Sequence, residues 1–128
     1  MQKDPISVRF NQDGSIGCSY RAYHKKSANG KISWFIPGFN IRFNSDTHEA
    51  GMERAAKMIK YFAHSWLNKG SFREFVLEIH RLGFRSPSLH DLTISKLIKR
   101  ELHKAQFNSL AIVPDNADYN STEINIAA

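Results

Sequence analysis

The sequence predicts an α+β fold, with a three- or four-stranded antiparallel sheet packed on a helix and followed by two more helices. Residues 5–44 contain runs in which apolar and polar side chains alternate, as expected for strands with one buried face. After residue 46, apolar residues recur at three- and four-residue steps, which is typical of helices packed on a core. Strands and helices that separate along the chain in this way indicate the α+β class.

Three strands are predicted before the first proline-glycine pair. Residues 6–10 and 16–25 each alternate apolar and polar side chains, and residues 11–14 between them favour a turn. A second turn with an Asn-Gly pair, at residues 26–30, leads to a third alternating run at 32–36. The sequence therefore predicts a three-stranded meander.

Pro37 and Gly38 interrupt the third strand, because proline cannot donate a hydrogen bond to a neighbouring strand. The alternation resumes at Phe39, Ile41 and Phe43. The pattern favours a bulged or broken edge strand. Periodicity does not decide between a bulge in one strand and a hairpin turn between two strands.

A capped amphipathic helix is predicted at residues 46–67. Asp46 and Glu49 have the spacing of an N-cap residue and its reciprocal partner three positions later. Glu53 and Lys57 are placed for an i,i+4 ion pair on the outer side of this helix.

A helical pair is predicted at 72–106, with one helix at about 72–83 and the other at about 88–106. Ser71 and Glu74 repeat the capping pattern before the first of these helices, and Gly83 is expected to end it.

Residues 1–112 are expected to form a single α+β domain. Residues 113–128 contain little periodic apolar content and no basic residue, so a flexible tail is expected there. The apolar periodicity predicts a core made of Val8, Phe10, Tyr20, Ile32, Ile41, Ala55, Ile59, Phe62, Trp66, Phe75, Ile79, Leu92 and Ile98.

The chain is basic, with 18 Lys and Arg residues against 12 Asp and Glu residues and a net charge of +6. Such a balance favours polyanionic partners, of which nucleic acid is the most common. No apolar run approaches the roughly 20 residues that span a bilayer, so no membrane partner is expected. The single cysteine, Cys18, cannot form an internal disulfide, and the N-terminus has no apolar signal segment, so a cytoplasmic location is expected.

Basic and aromatic residues share the polar side of the predicted sheet. Arg9 in the first strand and Arg21, Tyr23 and Lys25 in the second occupy outward positions. A two- or three-stranded ribbon fits the major groove of DNA, where arginine can bind guanine bidentately. A solvated sheet face would use the same residue types. The predicted nucleic-acid-binding residues are Arg9, Arg21, Tyr23, Lys25, Lys26 and Arg42.

Several short motifs resemble those of the three-strand-plus-helix DNA-binding domain of plant ethylene-response (Apetala-type) factors, which is related to the arm-binding modules of phage integrases. The matching motifs are Val8-Arg9, Tyr20-Arg-Ala-Tyr23, Asn29-Gly-Lys31, Thr47-His-Glu-Ala50 and Ala55-Ala56. They span about half of the chain. The resemblance implies that the side chains of Arg9, Arg21, Tyr23 and Lys25 face DNA.

A second family has a similar order of motifs. Pro37-Gly38, Asp46-Thr47 and Glu49-Ala50 resemble HicB-type antitoxin domains, although seven residues separate Gly38 from Asp46, more than that pattern normally carries. This resemblance implies a protein partner, with the helical half as a dimerisation or DNA-binding part.

The two helices predicted after residue 71 offer an alternative nucleic-acid-binding site. They could form a helix-turn-helix whose second helix carries a basic face, although an ordinary helical hairpin with a solvated outer side fits better. The residues of this alternative basic helix face are Lys96, Lys99, Arg100 and Lys104.

The sequence contains no recognised catalytic or metal motif. None of the six histidines is spaced at i, i+3 or i+4 from another histidine or from Cys18, so no metal site is expected. Cys18 lies on the predicted core side of a strand, where a thiol behaves as a small apolar group. We therefore expect neither an enzyme nor a cofactor.

The sequence as a whole predicts a non-enzymatic nucleic-acid-binding protein. Duplex DNA bound by the sheet face is the expected ligand, in a small transcription regulator or accessory factor of a bacterial, phage or other mobile genome. The alternative is a protein-binding module, antitoxin-like or inhibitory, that docks on an acidic protein partner. The sequence leaves a homodimer open.

Overall fold

The computed structural model describes residues 3–69, 72–86, 102, 103 and 105–127. Within these ranges, seven strands form one curled antiparallel sheet, and two helices pack on one of its faces. The α+β class is confirmed, but the predicted three or four strands are too few. The elements are β1 (Ser7–Phe10), β2 (Ile16–Lys26), β3 (Ile32–Ile36), β4 (Ile41–Ser45), α1 (His48–Lys69), α2 (Phe72–Arg81), β5 (Phe84–Arg85), β6 (Gln106–Ser109) and β7 (Asp118–Ile126).

The eleven-residue strand β2 is the centre of the sheet. β7 pairs with it from Ile16 to His24 and so occupies one edge except for the last two residues of β2. β1 pairs with residues 16–19 and β3 with residues 23–26, and both must therefore use the other edge. The two hairpins predicted from the turn residues are present, but β1 and β3 do not flank β2 as they would in a meander.

The C-terminal residues are not the flexible tail that the sequence predicted. Nine residues of β7, Asp118–Ile126, pair in register with β2, and Ile126 is buried. The strand was missed because its inward side carries Asp118, Asn120 and Thr122 before the first apolar residue, so it lacks the apolar alternation of a typical half-buried strand.

Residues Pro37–Phe39 form a 3-10 turn between β3 and β4, and Asn40 after it has a φ of 52°. The open question of bulge or hairpin is thus resolved in favour of a turn between two strands. Gly38 in this turn lies so close to Ile6, Phe84 and Ser109 that a Cβ atom would be 3.0–3.1 Å from their side chains. This close approach brings the turn after β3 against the β1–β6–β5 side of the sheet.

Helix α1 begins at His48, and Thr47 rather than the predicted Asp46, one residue earlier, is its N-cap. The Thr47 hydroxyl accepts a hydrogen bond from the Ala50 amide at 3.1 Å. The predicted Glu53–Lys57 ion pair is present, with 3.4 Å between its charged atoms.

The core lies between the inner face of the sheet and the two helices. Of the predicted core residues, seven are buried, and Ile32, Ile41, Phe62 and Trp66 are partly buried against them. Gly83, with a φ of 101°, follows α2 as predicted. The core also contains side chains from β5 and β6 that the apolar periodicity did not predict, notably Phe84 and Phe107.

The second predicted helix of the C-terminal pair, residues 88–106, lies largely outside the described residues. So do Ser71, Leu92 and Ile98. Its predicted end is wrong, because Gln106 begins β6, which pairs with β1 and buries Phe107. No helix in the described part of the chain is both long and apolar enough to span a membrane.

Candidate functional site

The face of the sheet that the helices leave uncovered carries the predicted basic residues except Lys26, and we call it the outer face. Arg9 of β1 lies there, and Arg21, Tyr23 and Lys25 alternate along β2. Arg42 of β4 joins them, since it pairs with Phe35 of β3, which in turn pairs with Tyr23. The prediction that these side chains share one face is confirmed.

Four of the outer-face residues are direct cross-strand neighbours. Arg42 pairs with Phe35, Phe35 with Tyr23, and Tyr23 with Tyr119 of β7. Side chains of directly paired residues project from the same side of a sheet. They form a row across β4, β3, β2 and β7, which we call the cross-strand row.

Arginine side chains stack on both outer rings of this row. The guanidinium of Arg42 lies 3.8 Å from the ring centroid of Phe35, and that of Arg21 lies 4.1 Å from the ring centroid of Tyr119. A guanidinium this close to a ring centroid makes a cation–π contact with the ring face. Each of these two rings therefore has a positive charge over its face.

Tyr23 was predicted to be accessible to a ligand, but only 4% of its surface is exposed. Its ring centroid lies 5.7 Å from that of Tyr119. Burial raises the pKa of the Tyr23 hydroxyl, and nearby Arg21 partly offsets this shift. Tyr23 therefore supports the neighbouring rings instead of offering its own surface to a ligand.

Arg9 is on the predicted face, but an acid neutralises its charge. Its guanidinium forms an ion pair with Glu123 of β7 and donates a hydrogen bond to the Ser19 hydroxyl at 3.2 Å. It lies across Gly17, whose missing side chain leaves room for it. Arg9 is thus less available for a ligand than Arg21 or Arg42.

A buried carboxyl group lies beside this face. Asp4 is 2% exposed, and one of its oxygens accepts a hydrogen bond from the Gly38 amide at 3.2 Å. Desolvation raises the pKa of Asp4 to about 6, although the Gly38 bond and the charge of Arg21 oppose the shift. Asp4 connects the segment before β1 to the turn after β3.

The end of the β2–β3 hairpin projects beyond β7, since β7 begins opposite His24. Three lysines are exposed at this end, Lys25, Lys26 and Lys31, and we call it the ribbon tip. Lys26 pairs with Ile32 and so points to the opposite face from Lys25. Lys26 therefore belongs to the tip rather than to the outer face.

The inner face holds a histidine pair that the sequence spacing did not reveal. The rings of His24 in β2 and His48 in α1 lie 5.0 Å apart, and both contact the ring of Trp34. His48 also hydrogen-bonds the Asn120 side chain at 2.7 Å. The residues are 24 positions apart in sequence, so only the packing of the helix on the sheet brings them together. Their contacts attach the start of α1 to β2, β3 and β7.

Cys18 is buried as predicted, and desolvation raises its thiol pKa to about 12. A thiol with so high a pKa is not a nucleophile near neutral pH. The alternative basic helix face, Lys96, Lys99, Arg100 and Lys104, lies outside the described residues.

Neither a protein-family model nor a curated protein nor a solved structure matches this chain.

Proposed function

We propose that this chain binds nucleic acid with its outer face and ribbon tip, and that duplex DNA is one of its ligands. The observation that carries the proposal is the placement of Arg21, Arg42 and Lys25 around aromatic rings on one face. Basic side chains interleaved with aromatic ones are typical of surfaces that bind nucleic acid. The acid of β7 on this face, Glu123, is already paired with Arg9, so the charge around the cross-strand row is positive.

The ribbon tip has a suitable width for a duplex. Only β2, β3 and β4 run side by side there, because β7 pairs with β2 only up to His24. Three strands spaced about 4.8 Å apart span roughly 10 Å between their outer backbones, within the roughly 12 Å width of a major groove. Lys25, Lys26 and Lys31 would then reach phosphates on both sides of the groove.

Titration of the protein with labelled duplex DNA at several salt concentrations tests the proposal. Fluorescence anisotropy should show log affinity falling linearly with log salt, by about 0.9 for each phosphate neutralised. Polyglutamate serves as a polyanion without bases or sugars. Absence of DNA binding at low salt would contradict the proposal. Binding of polyglutamate as tight as that of DNA would favour an acidic protein partner instead.

A further inference from the structure

We infer that the cross-strand row binds unpaired bases, so that the preferred ligand is a duplex that opens into a single strand. The inference rests on the proposed function and adds the chemical class of the ligand at this part of the site. It concerns the row and its two stacked arginines, whereas the ribbon tip contacts the duplex.

The rings of the row are exposed where a base could reach them. Tyr119 is 47% exposed and Phe35 is half-buried, while Tyr23 between them is buried. Phe35 and Tyr119 are two strands apart, which corresponds to roughly 10 Å. The face therefore offers two separate stacking positions, one on each side of Tyr23.

The arginines complete these positions. Unpaired bases in protein complexes stack on aromatic rings and on guanidinium planes, and the guanidinium groups of Arg21 and Arg42 already lie over the rings of Tyr119 and Phe35. A base can stack on the free side of each guanidinium, or replace it on the ring while the guanidinium moves to a phosphate. Bases inside an intact duplex have no free face for either arrangement.

The shape of the sheet separates this part of the site from the ribbon tip. At the row, β7 is added beside β2, so that four strands span roughly 14 Å, wider than a major groove of about 12 Å. The row lies next to the tip, because Tyr23 and Lys25 are successive outward residues of β2. A nucleic acid that is double-stranded at the ribbon tip would therefore have to be single-stranded where it contacts the cross-strand row.

Anisotropy titrations with three ligands of matched duplex sequence test the inference: a blunt duplex, the duplex with a short single-stranded overhang, and the duplex with an abasic overhang of equal length. The base-containing overhang should increase affinity by about tenfold for each stacked base. The abasic overhang, which keeps the phosphates, should increase it much less. Comparing a deoxyribose overhang with a ribose overhang shows whether the unpaired bases that bind belong to DNA or to RNA.

Tyr119→Ala should remove about tenfold of the gain from the base-containing overhang, because the stacking position on Phe35 remains. Tyr119→Phe, which keeps the ring, should preserve the preference. Tyr61→Ala is the matched control, because Tyr61 is an exposed tyrosine on α1, 73% accessible, and should leave all affinities unchanged.

Equal affinities for the base-containing and abasic overhangs would overturn the inference. If the blunt duplex still bound, the proposed function would stand without it. Failure of all three ligands to bind would instead contradict the proposed function.

Discussion

The guanidinium of Arg21 lies 4.1 Å from the ring centroid of Tyr119, so the last strand of the chain supplies the aromatic partner of a central basic residue of the outer face. The contact joins residues almost a hundred positions apart. It exists because β7 pairs with β2 in a register that places Tyr119 opposite Tyr23 and Ser121 opposite Arg21. Any role of Arg21 in binding therefore depends on β7.

Replacing Arg21 with alanine should weaken binding of the overhang duplex by about 1 to 3 kcal/mol, because Arg21 forms one of the two stacking positions and one stacked base is worth about that much. Lys57→Ala is the matched control, since Lys57 lies on α1, on the other side of the sheet, and is already paired with Glu53. Anisotropy titration of both variants gives the comparison. Equal losses would indicate diffuse charge attraction rather than a site on the outer face.

The β7 strand should contribute substantially to stability. Ile126 is 2% exposed at the end of β7, and Ile126→Ala should lower the free energy of unfolding by about 2 to 5 kcal/mol. Ser121→Ala, at an exposed position of the same strand, should change it by less than about 0.5 kcal/mol. Urea denaturation measures both. Similar small effects would mean that residues 118–126 are not part of the folded sheet.

The arrangement of the basic residues could be predicted from sequence, but the residues that surround them could not. Alternation in β2 is enough to place Arg21, Tyr23 and Lys25 on one side of the strand, whatever its neighbours are. The burial of Tyr23 depends on Tyr119 and Phe35, which belong to other strands. The neutralisation of Arg9 depends on Glu123, 114 positions away.

One physical reason explains why the sequence did not predict β6 and β7. The inward residues of β7 contact polar groups of the neighbouring elements, as when Asn120 bonds His48, so this part of the strand did not need apolar side chains. β6 is only four residues long, and Phe107 and Ser109 are its buried residues. Neither strand has the long apolar alternation by which β2 could be recognised.

Gly51 should not tolerate a side chain. A Cβ atom at this position of α1 would lie 2.1 Å from the nearest atom of the Trp34 ring. Gly51→Ala should therefore destabilise the protein by about 1 to 3 kcal/mol despite the higher helix propensity of alanine. Thermal unfolding measures the loss. The cost should shrink in a Trp34→Leu background, and equal costs in the two backgrounds would contradict the contact.

Stability should fall as the pH rises from about 4 to about 6, through the titration of Asp4. The pKa of Asp4 is raised from 3.8 to about 6 in the folded protein, so the folded state binds its proton more tightly than the unfolded state. The resulting stabilisation is fully present below about pH 4 and is lost as the pH passes 6. It amounts to at most about 3 kcal/mol.

Urea denaturation of the wild type and of Asp4→Asn at several pH values isolates this contribution. The asparagine oxygen can still accept the hydrogen bond from the Gly38 amide, but the side chain does not titrate. The variant should gain stability relative to the wild type above pH 6 and not below pH 4. A constant difference across this range would show that Asp4 is not the titrating group.

An NMR titration with DNA that follows the Nε–Hε signals of the arginine side chains tests most directly whether the outer face binds nucleic acid. Arg21 and Arg42 lie on the outer face, whereas Arg73 and Arg81 lie on α2 and serve as internal controls. We expect the signals of Arg21 and Arg42 to shift at the lowest DNA concentrations while those of Arg73 and Arg81 do not. Shifts confined to the helix arginines, or no shifts at low salt, would contradict binding by the outer face.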